Sequence, residues 1–180
     1  MGNSVAQPLR GVAERPAGEC ARIVSAYVAR SKCADFEFGA GLDDVQSLTA
    51  SSKAEAADIC ELLTRNKDSN QVNVLVLLAA ACLVCEADTL AVPGRASLVY
   101  DVFNFDADSD LSRDELTILL MCVFRAMNCV SDHAANDPNY ALMDKLASTA
   151  FGNEQRETMR KDDFVLFVKG FCSGADDFPA

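Results

Sequence analysis

Basic charge is scarce in this chain: 16 lysines and arginines stand against 27 aspartates and glutamates, for a formal net charge of −11. A surface so acidic offers nothing to offset nucleic-acid phosphates, so nucleic acid is not an expected partner. A cation, or a target with basic segments, suits it better. Histidine is scarcer still. The single His133 leaves any Ser/His or Cys/His nucleophile one base to use, and that base lies in a polar stretch. No phosphate-cradling glycine motif occurs, and the chain is not expected to be an enzyme. Long apolar runs are also missing. The best, Val74 to Cys85, is followed by Glu86 and Asp88 and falls short of the ~20 residues that cross a bilayer. The first residues carry no apolar stretch of signal-peptide type, so no secretory leader is expected.

What is present is core material. Half of the 180 residues are apolar, enough for a globular chain of one domain or two small lobes. Eight cysteines are spread through it. Cys60, Cys82, Cys85, Cys122 and Cys172 fall within apolar helical patterns, where cysteine serves as a small buried hydrophobe. They read as reduced core thiols of a cytosolic protein. Cys82-Leu-Val-Cys85 has zinc-like spacing, but no second cysteine pair accompanies it in sequence, and it reads as helix packing. Cys129 and His133 also lack partners for a metal.

The densest chemistry lies at Asn104-Phe-Asp-Ala-Asp-Ser-Asp-Leu-Ser-Arg-Asp-Glu115. Oxygen-bearing side chains occupy its first, third, fifth, ninth and twelfth places: Asn104, Asp106, Asp108, Ser112 and Glu115. Asp110 fills the seventh, where a backbone carbonyl serves. A hard cation such as Ca²⁺ takes six to eight oxygens, and a loop with this spacing supplies them. On this reading Asn104, Asp106 and Asp108 give one oxygen each, Ser112 holds a water, and Glu115 binds through both oxygens. Two residues weaken the loop. Asn104 lacks the charge of an aspartate, and Ser109 stands at the sixth place, where glycine is wanted. A Cβ in left-handed backbone costs roughly 1–2 kcal/mol, equivalent to about ten- to thirty-fold in affinity. That leaves binding in or just above the ~10⁻⁷–10⁻⁵ M range of sensors.

Apolar periodicity surrounds the loop. Tyr100 and Phe103 precede it, Leu111 is its central apolar residue, and Leu116, Leu119, Leu120, Val123, Phe124 and Met127 follow at helical spacing. Ile23, Val24, Tyr27 and Val28 mark an earlier helix from about Glu19 to Ser31. Ser51 or Ser52 can cap another that runs to about Thr64. Tyr140, Met143, Leu146, Ala150 and Phe151 mark one more, and Phe164, Phe167, Val168 and Phe171 a last. The helix from Val74 to about Glu86 is apolar nearly all round and must be covered on most faces. Pro93 and Gly94 read as a break between two halves, and Asn128 to Pro138 as a polar linker. Three further stretches have the form of the loop without its ligands. Cys33 to Asp44 has Phe38 or Ala40 as its central apolar residue. Arg65 to Val76 centres on Val72 and carries Arg65, Lys67 and Val76 at ligand places. Gly152 to Asp163 centres on Met159 and carries Arg156, which would repel a cation. All three are expected to be free of metal.

These repeats of helix, loop and helix, with the loop from Asn104 to Glu115, resemble the EF-hand superfamily. The chain length, the Met1-Gly2 start and a gap from Leu111 to Met159 longer than that from Val72 to Leu111 make it similar to the calmodulin-like neuronal calcium sensor and calcineurin B-like proteins. The resemblance covers most of the chain, and its specific motif is the one loop. It implies an all-α fold of paired hands in two lobes, with short β bridges joining Leu111 to Met159 and Val72 to Phe38 or Ala40. The expected division is a tail at 1–18, a first lobe at 19–92, a second lobe at 96–172 and a tail at 173–180. The implied function is a sensor or adaptor with Ca²⁺ at one site that docks a target protein, for which an amphipathic helix is the expected form. Met121, Phe124 and Met127 are candidates to line the groove for it, with ordinary core packing as the competing account. The alternative is a structural scaffold, cytoskeletal or axonemal, with Ca²⁺ constitutive or absent. Gly2 is a candidate N-myristoylation site, although Ala6 stands where Ser or Thr is usual. Arg10, Arg15, Arg22, Arg30 and Lys32 outnumber Glu14 and Glu19, which suits weak membrane association of an acylated N-terminus. A solvated tail is the competing account. The expected location is cytoplasmic, whether membrane-associated or on the cytoskeleton or flagellum.

Overall fold

A computed structural model describes residues 9, 12, 17–31, 39–64, 71–85, 92–105, 110–130, 138–152 and 156–173. The described residues are mostly helical, an all-α architecture with two small antiparallel sheets. In chain order the elements are α1 (Ala17–Ser31), β1 (Gly39–Ala40), α2 (Leu42–Thr49), α3 (Lys53–Leu63), β2 (Val72–Asn73) and α4 (Val74–Val84). The second half adds α5 (Val92–Phe103), β3 (Asp110–Ser112), α6 (Arg113–Val130), α7 (Tyr140–Phe151), β4 (Thr158–Arg160) and α8 (Lys161–Ser173). Each strand leads into a helix.

The sheets join strands far apart in the chain. β1 pairs with β2 and sets Ala40 opposite Val72. β3 pairs with β4 and sets Leu111 opposite Met159. Of the two residues weighed as centre of the first stretch, it is Ala40 that stands in the ladder; Phe38 lies outside the described residues. Ala40, Val72, Leu111 and Met159 are all buried. Each sheet therefore sinks one apolar cross-strand pair into the core.

Helix boundaries follow from local chemistry. Ser52 caps α3: its Oγ accepts from Glu55 N, and Glu55 Oε2 accepts from Ser52 N. This reciprocal box satisfies two otherwise orphaned donors. Asn73 starts α4 by accepting from Leu75 N and Val76 N at Oδ1. Asn139 starts α7 in the same way, accepting from Ala141 N. Three boundaries depart from expectation. Pro93 and Gly94 do not break the chain; they lie in the first turn of α5, where a proline's missing N–H costs nothing. α6 runs on to Val130, through residues expected to begin a linker. The short α2 had no expectation at all. Its apolar side is Leu42, Val45 and Leu48, a run of two turns that is too short to register as a period.

The core is continuous across both halves. At its centre is α4, with ten of its eleven residues buried. It packs chiefly against α6, then α5, with α1 also in contact. A helix with no polar stripe is thus covered by elements from both halves of the chain. Ala79, Ala80 and Ala81 fill its middle, and side chains this small let a neighbouring helix come close. Leu9 and Val12 are buried as well, so these two residues belong to the core and not to a solvated tail. Among the cysteines read as core thiols, Cys82, Cys85 and Cys122 are buried and Cys60 is half-buried. Cys172 is exposed: it sits in the last turn of α8, next to Phe171, which is also exposed. No helix among the described residues is long and apolar enough to cross a membrane.

Candidate cation site and apolar groove

The passage from α5 through β3 into α6 positions Asn104, Asp110, Ser112 and Glu115. Asp106, Asp108 and Ser109 lie outside the described residues, and so do Gly2, Arg65, Lys67 and His133. Asn104 N donates to Tyr100 O at 3.1 Å, which closes the last turn of α5. The side-chain Oδ1 of Asn104 is buried and has no hydrogen-bond partner among the described residues. Burying an amide oxygen without a donor costs about 1–3 kcal/mol.

At the far end of the loop Glu115 sits in the first turn of α6, only 8% exposed. A buried carboxylate needs donors, and it has three. Oε2 accepts from Ser112 N at 2.8 Å and from Ser112 Oγ at 2.7 Å; Oε1 accepts from Phe105 N at 2.9 Å. Ser112 Oγ in turn accepts from Glu115 N at 3.3 Å. The carboxylate therefore bridges the second place of the loop to the ninth. Asp44, the last residue of the stretch from Cys33, repeats part of this, accepting from Gly41 N at 3.1 Å.

Asp110 turns its side chain across the sheet, where Oδ2 accepts from Thr158 Oγ1 at 3.1 Å. That leaves its backbone carbonyl as the group to offer the loop. Nearby cations are directed elsewhere. Arg113 pairs with Asp144 at 2.9 Å, and Lys161 pairs with Asp101 at 2.8 Å. The residues present fit a hard cation: a buried amide oxygen lacking a donor at one end, a buried carboxylate at the other. Among the described residues no three of His, Cys, Asp and Glu gather as a metal site; Asp106 and Asp108 lie outside that set. In the stretch from Gly152 to Asp163, Arg156 pairs with Asp163 at 3.6 Å. Its own charge thus reaches the carboxylate of the twelfth place, weakly, since both side chains are about half exposed.

Three contacts connect the loop's entering helix to the partner strand and the helix beyond it. Tyr100 Oη donates to Met159 O at 3.0 Å in a buried setting. Lys161 Nζ donates to both oxygens of Asp101 at 2.8 Å. The Tyr100 ring also packs on Phe164, centroids 5.8 Å apart.

Behind this sheet, α5, α6 and α8 surround an apolar groove of about 320 Å³, to which the end of α4 contributes Cys82 and Leu83. Val99, Leu119, Phe124, Met127, Phe167 and Phe171 form much of the wall. Of the three residues expected there, Phe124 and Met127 are in the wall and Met121 is not. Met127 and Phe171 remain 45% and 54% exposed, so the groove opens to solvent. Arg95 also lines it and fastens the end of α4: Nη1 donates to Leu83 O at 2.7 Å and Nη2 to Cys85 O at 2.6 Å. A cation on the last carbonyls of a helix complements its dipole. Sequence reasoning passed over Arg95, because a lone arginine after a proline and a glycine carries no periodic signal. No family model and no curated protein matches the chain.

Proposed function

We propose that the chain is an EF-hand Ca²⁺ sensor or adaptor that binds Ca²⁺ at Asn104–Glu115 and docks a target on its apolar groove. The observation that carries this is the buried Oδ1 of Asn104, without a partner among the described residues, in a loop whose twelfth residue, Glu115, is a buried carboxylate. The ladders through Ala40–Val72 and Leu111–Met159 support reading the helix–loop–helix units as two pairs of hands. Asn104, Asp106, Asp108 and Glu115 would hold the ion by side-chain oxygens, Asp110 by its carbonyl and Ser112 through a water. The ion supplies the positive charge that lets these carboxylates share one small volume. Glu115 would exchange its bonds to Phe105 N and Ser112 for the ion; it stands in the first turn of α6, which lines the groove together with α5, so the exchange would couple the ion to the groove. An apolar target flanked by basic residues suits the net charge of −11. On this reading the protein is cytoplasmic and not an enzyme, and acylation at Gly2 would give it a weak hold on membranes.

A second reading is a structural scaffold with Ca²⁺ constitutive or absent. The three hydrogen bonds that Glu115 accepts from Phe105 and Ser112 favour it, since they hold the carboxylate without an ion. Calorimetric titration of Ca²⁺ into the metal-free chain, with an apolar fluorescent dye reporting exposed surface, separates the two. The sensor predicts one site in or just above ~10⁻⁷–10⁻⁵ M, a rise in dye emission, and loss of both in Glu115→Gln. Heat without a dye response supports the scaffold with constitutive ion. No heat at millimolar Ca²⁺ removes Ca²⁺ from the account.

A further inference from the structure

Three buried thiols meet where α1 reaches the end of α4. Cys20 is 3% exposed, Cys82 0% and Cys85 1%. Cys20 Sγ lies 3.9 Å from Cys82 Sγ, although 62 positions separate them in the chain. Cys85 donates its S–H to Cys82 O at 3.3 Å, and its thiol also interacts with that of Cys20. The cation site uses none of the three. Bond formation would bring these two sulfurs from 3.9 Å to the ~2.04 Å of a disulfide.

We propose that Cys20 and Cys82 form a reversible intramolecular disulfide, with Cys85 as the thiol that reopens it, stapling α1 to the part of the groove wall that α4 supplies. Cys82 lines the groove, and Arg95 holds the carbonyl of the next residue, Leu83. The staple therefore fixes the end of α4 from a second side. The two thiols give up two protons and two electrons as their S–S bond forms. A small-molecule disulfide takes these up and leaves as two thiols. In reopening, the Cys85 sulfur attacks Cys20, Cys82 departs as thiolate and takes up the proton from Cys85, and an external dithiol reduces the resulting Cys20–Cys85 bond while becoming a disulfide itself.

Burial sets when this happens. The Cys20 thiol is pushed up to about 12 by its hydrogen bond to Cys82 and by burial. Cys85 is raised by its contact with Cys20 and by burial. The thiolate is the nucleophile, so Cys20 and Cys85 react slowly in the closed fold and exchange awaits an opening of α1 from α4. This separates it from Cys172, which is exposed.

The test is incubation of the full chain with oxidised glutathione near neutral pH, then alkylation in denaturant and peptide mapping without reduction. The expected product is a Cys20–Cys82 cross-linked peptide, with two hydrogens lost from the intact mass and a urea midpoint that rises and falls back on adding dithiothreitol. Cys85→Ser should keep the cross-link and slow its reduction several-fold. Recovery of Cys20 and Cys82 as free thiols after exposure that fully converts Cys172 would overturn the proposal. So would a cross-link from Cys20 to any residue but Cys82 as the stable product. The wild-type map decides the pairing even if a variant fails to fold, and the outcome is independent of Ca²⁺ binding.

Discussion

Replacing Asn104 by alanine should change stability in opposite directions with and without Ca²⁺. In the metal-free chain the Oδ1 atom is buried without a donor among the described residues, a burden of about 1–3 kcal/mol. Alanine removes that atom, and it removes little packing because Asn104 is only half-buried. The lost amide nitrogen and methylene contacts offset part of the gain. Metal-free Asn104→Ala should therefore equal the wild type or exceed it by up to about 1 kcal/mol, which for a chain of this size is about 2–4 °C. With Ca²⁺ the order reverses. At about a hundred times the dissociation constant, a single site adds about 2.7 kcal/mol, or about 5–11 °C. Losing the first ligand and about thirty-fold in affinity would cut that gain to less than about 1 kcal/mol. Thermal unfolding followed by circular dichroism, in chelator and in Ca²⁺, measures all four values. A midpoint several degrees below wild type in chelator would mean that Oδ1 is satisfied after all. An undiminished Ca²⁺ shift would mean that Asn104 is not a ligand.

Glu115→Gln should weaken the chain even without metal, because Gln cannot accept all three bonds from Phe105 and Ser112; the expected loss is about 1.5–3 kcal/mol by urea unfolding in chelator, and equal stability would contradict those bonds. Tyr100→Phe leaves the buried carbonyl of Met159 without its donor and should cost about 1–2 kcal/mol in the same assay; no loss would mean the carbonyl finds another partner. Alkaline pH should destabilise the fold. Cys20 is held protonated up to about 12 by its bond to Cys82, and Tyr27 up to about 12 and Cys122 up to about 11 by burial, against ordinary values of 9.0, 10.0 and 9.0. The folded chain keeps protons that the unfolded chain releases, so this stability is intact below pH 9 and disappears as pH rises toward 12. Urea midpoints at pH about 8 and about 10.5 should show the fall; a flat profile would refute the burial of these groups.

The parts of the fold legible in the sequence are those written in local spacing. The loop from Asn104 to Glu115 fixes its own register, and with it the place of Leu111 in a ladder. Met159 and Val72 follow because each precedes an apolar helix by the same step. Ser52 with Glu55 is a local signature of the same kind. Contacts that depend on tertiary meeting carry no such mark. Cys82 and Cys85 lacked a third thiol in sequence, and Cys20 reaches them only because α1 packs on α4. Pro93 and Gly94 read as a break because residue type alone does not distinguish a linker from a helix's first turn. Cys172 shared its helical pattern with the buried Phe164 and the half-buried Phe167 and Val168, but periodicity alone does not show that the last turn of α8 is exposed. The chemistry of Asn104–Glu115 was legible as a set of oxygens, but not that Glu115 would already accept hydrogen bonds from Phe105 and Ser112.

α4 carries no polar side chain from Val74 to Val84, and both its ends are secured from outside by Asn73 and Arg95. The helix is therefore pinned against spin as well as tilt: turning it would carry Leu83 O and Cys85 O away from Arg95 and Cys82 away from Cys20. Between the pins its contacts are apolar, and only bulk distinguishes the leucines from the alanine triplet. A shift of α6 against that stretch would pass to α1 as a change in packing, and the directional contacts at the helix's end would resist it.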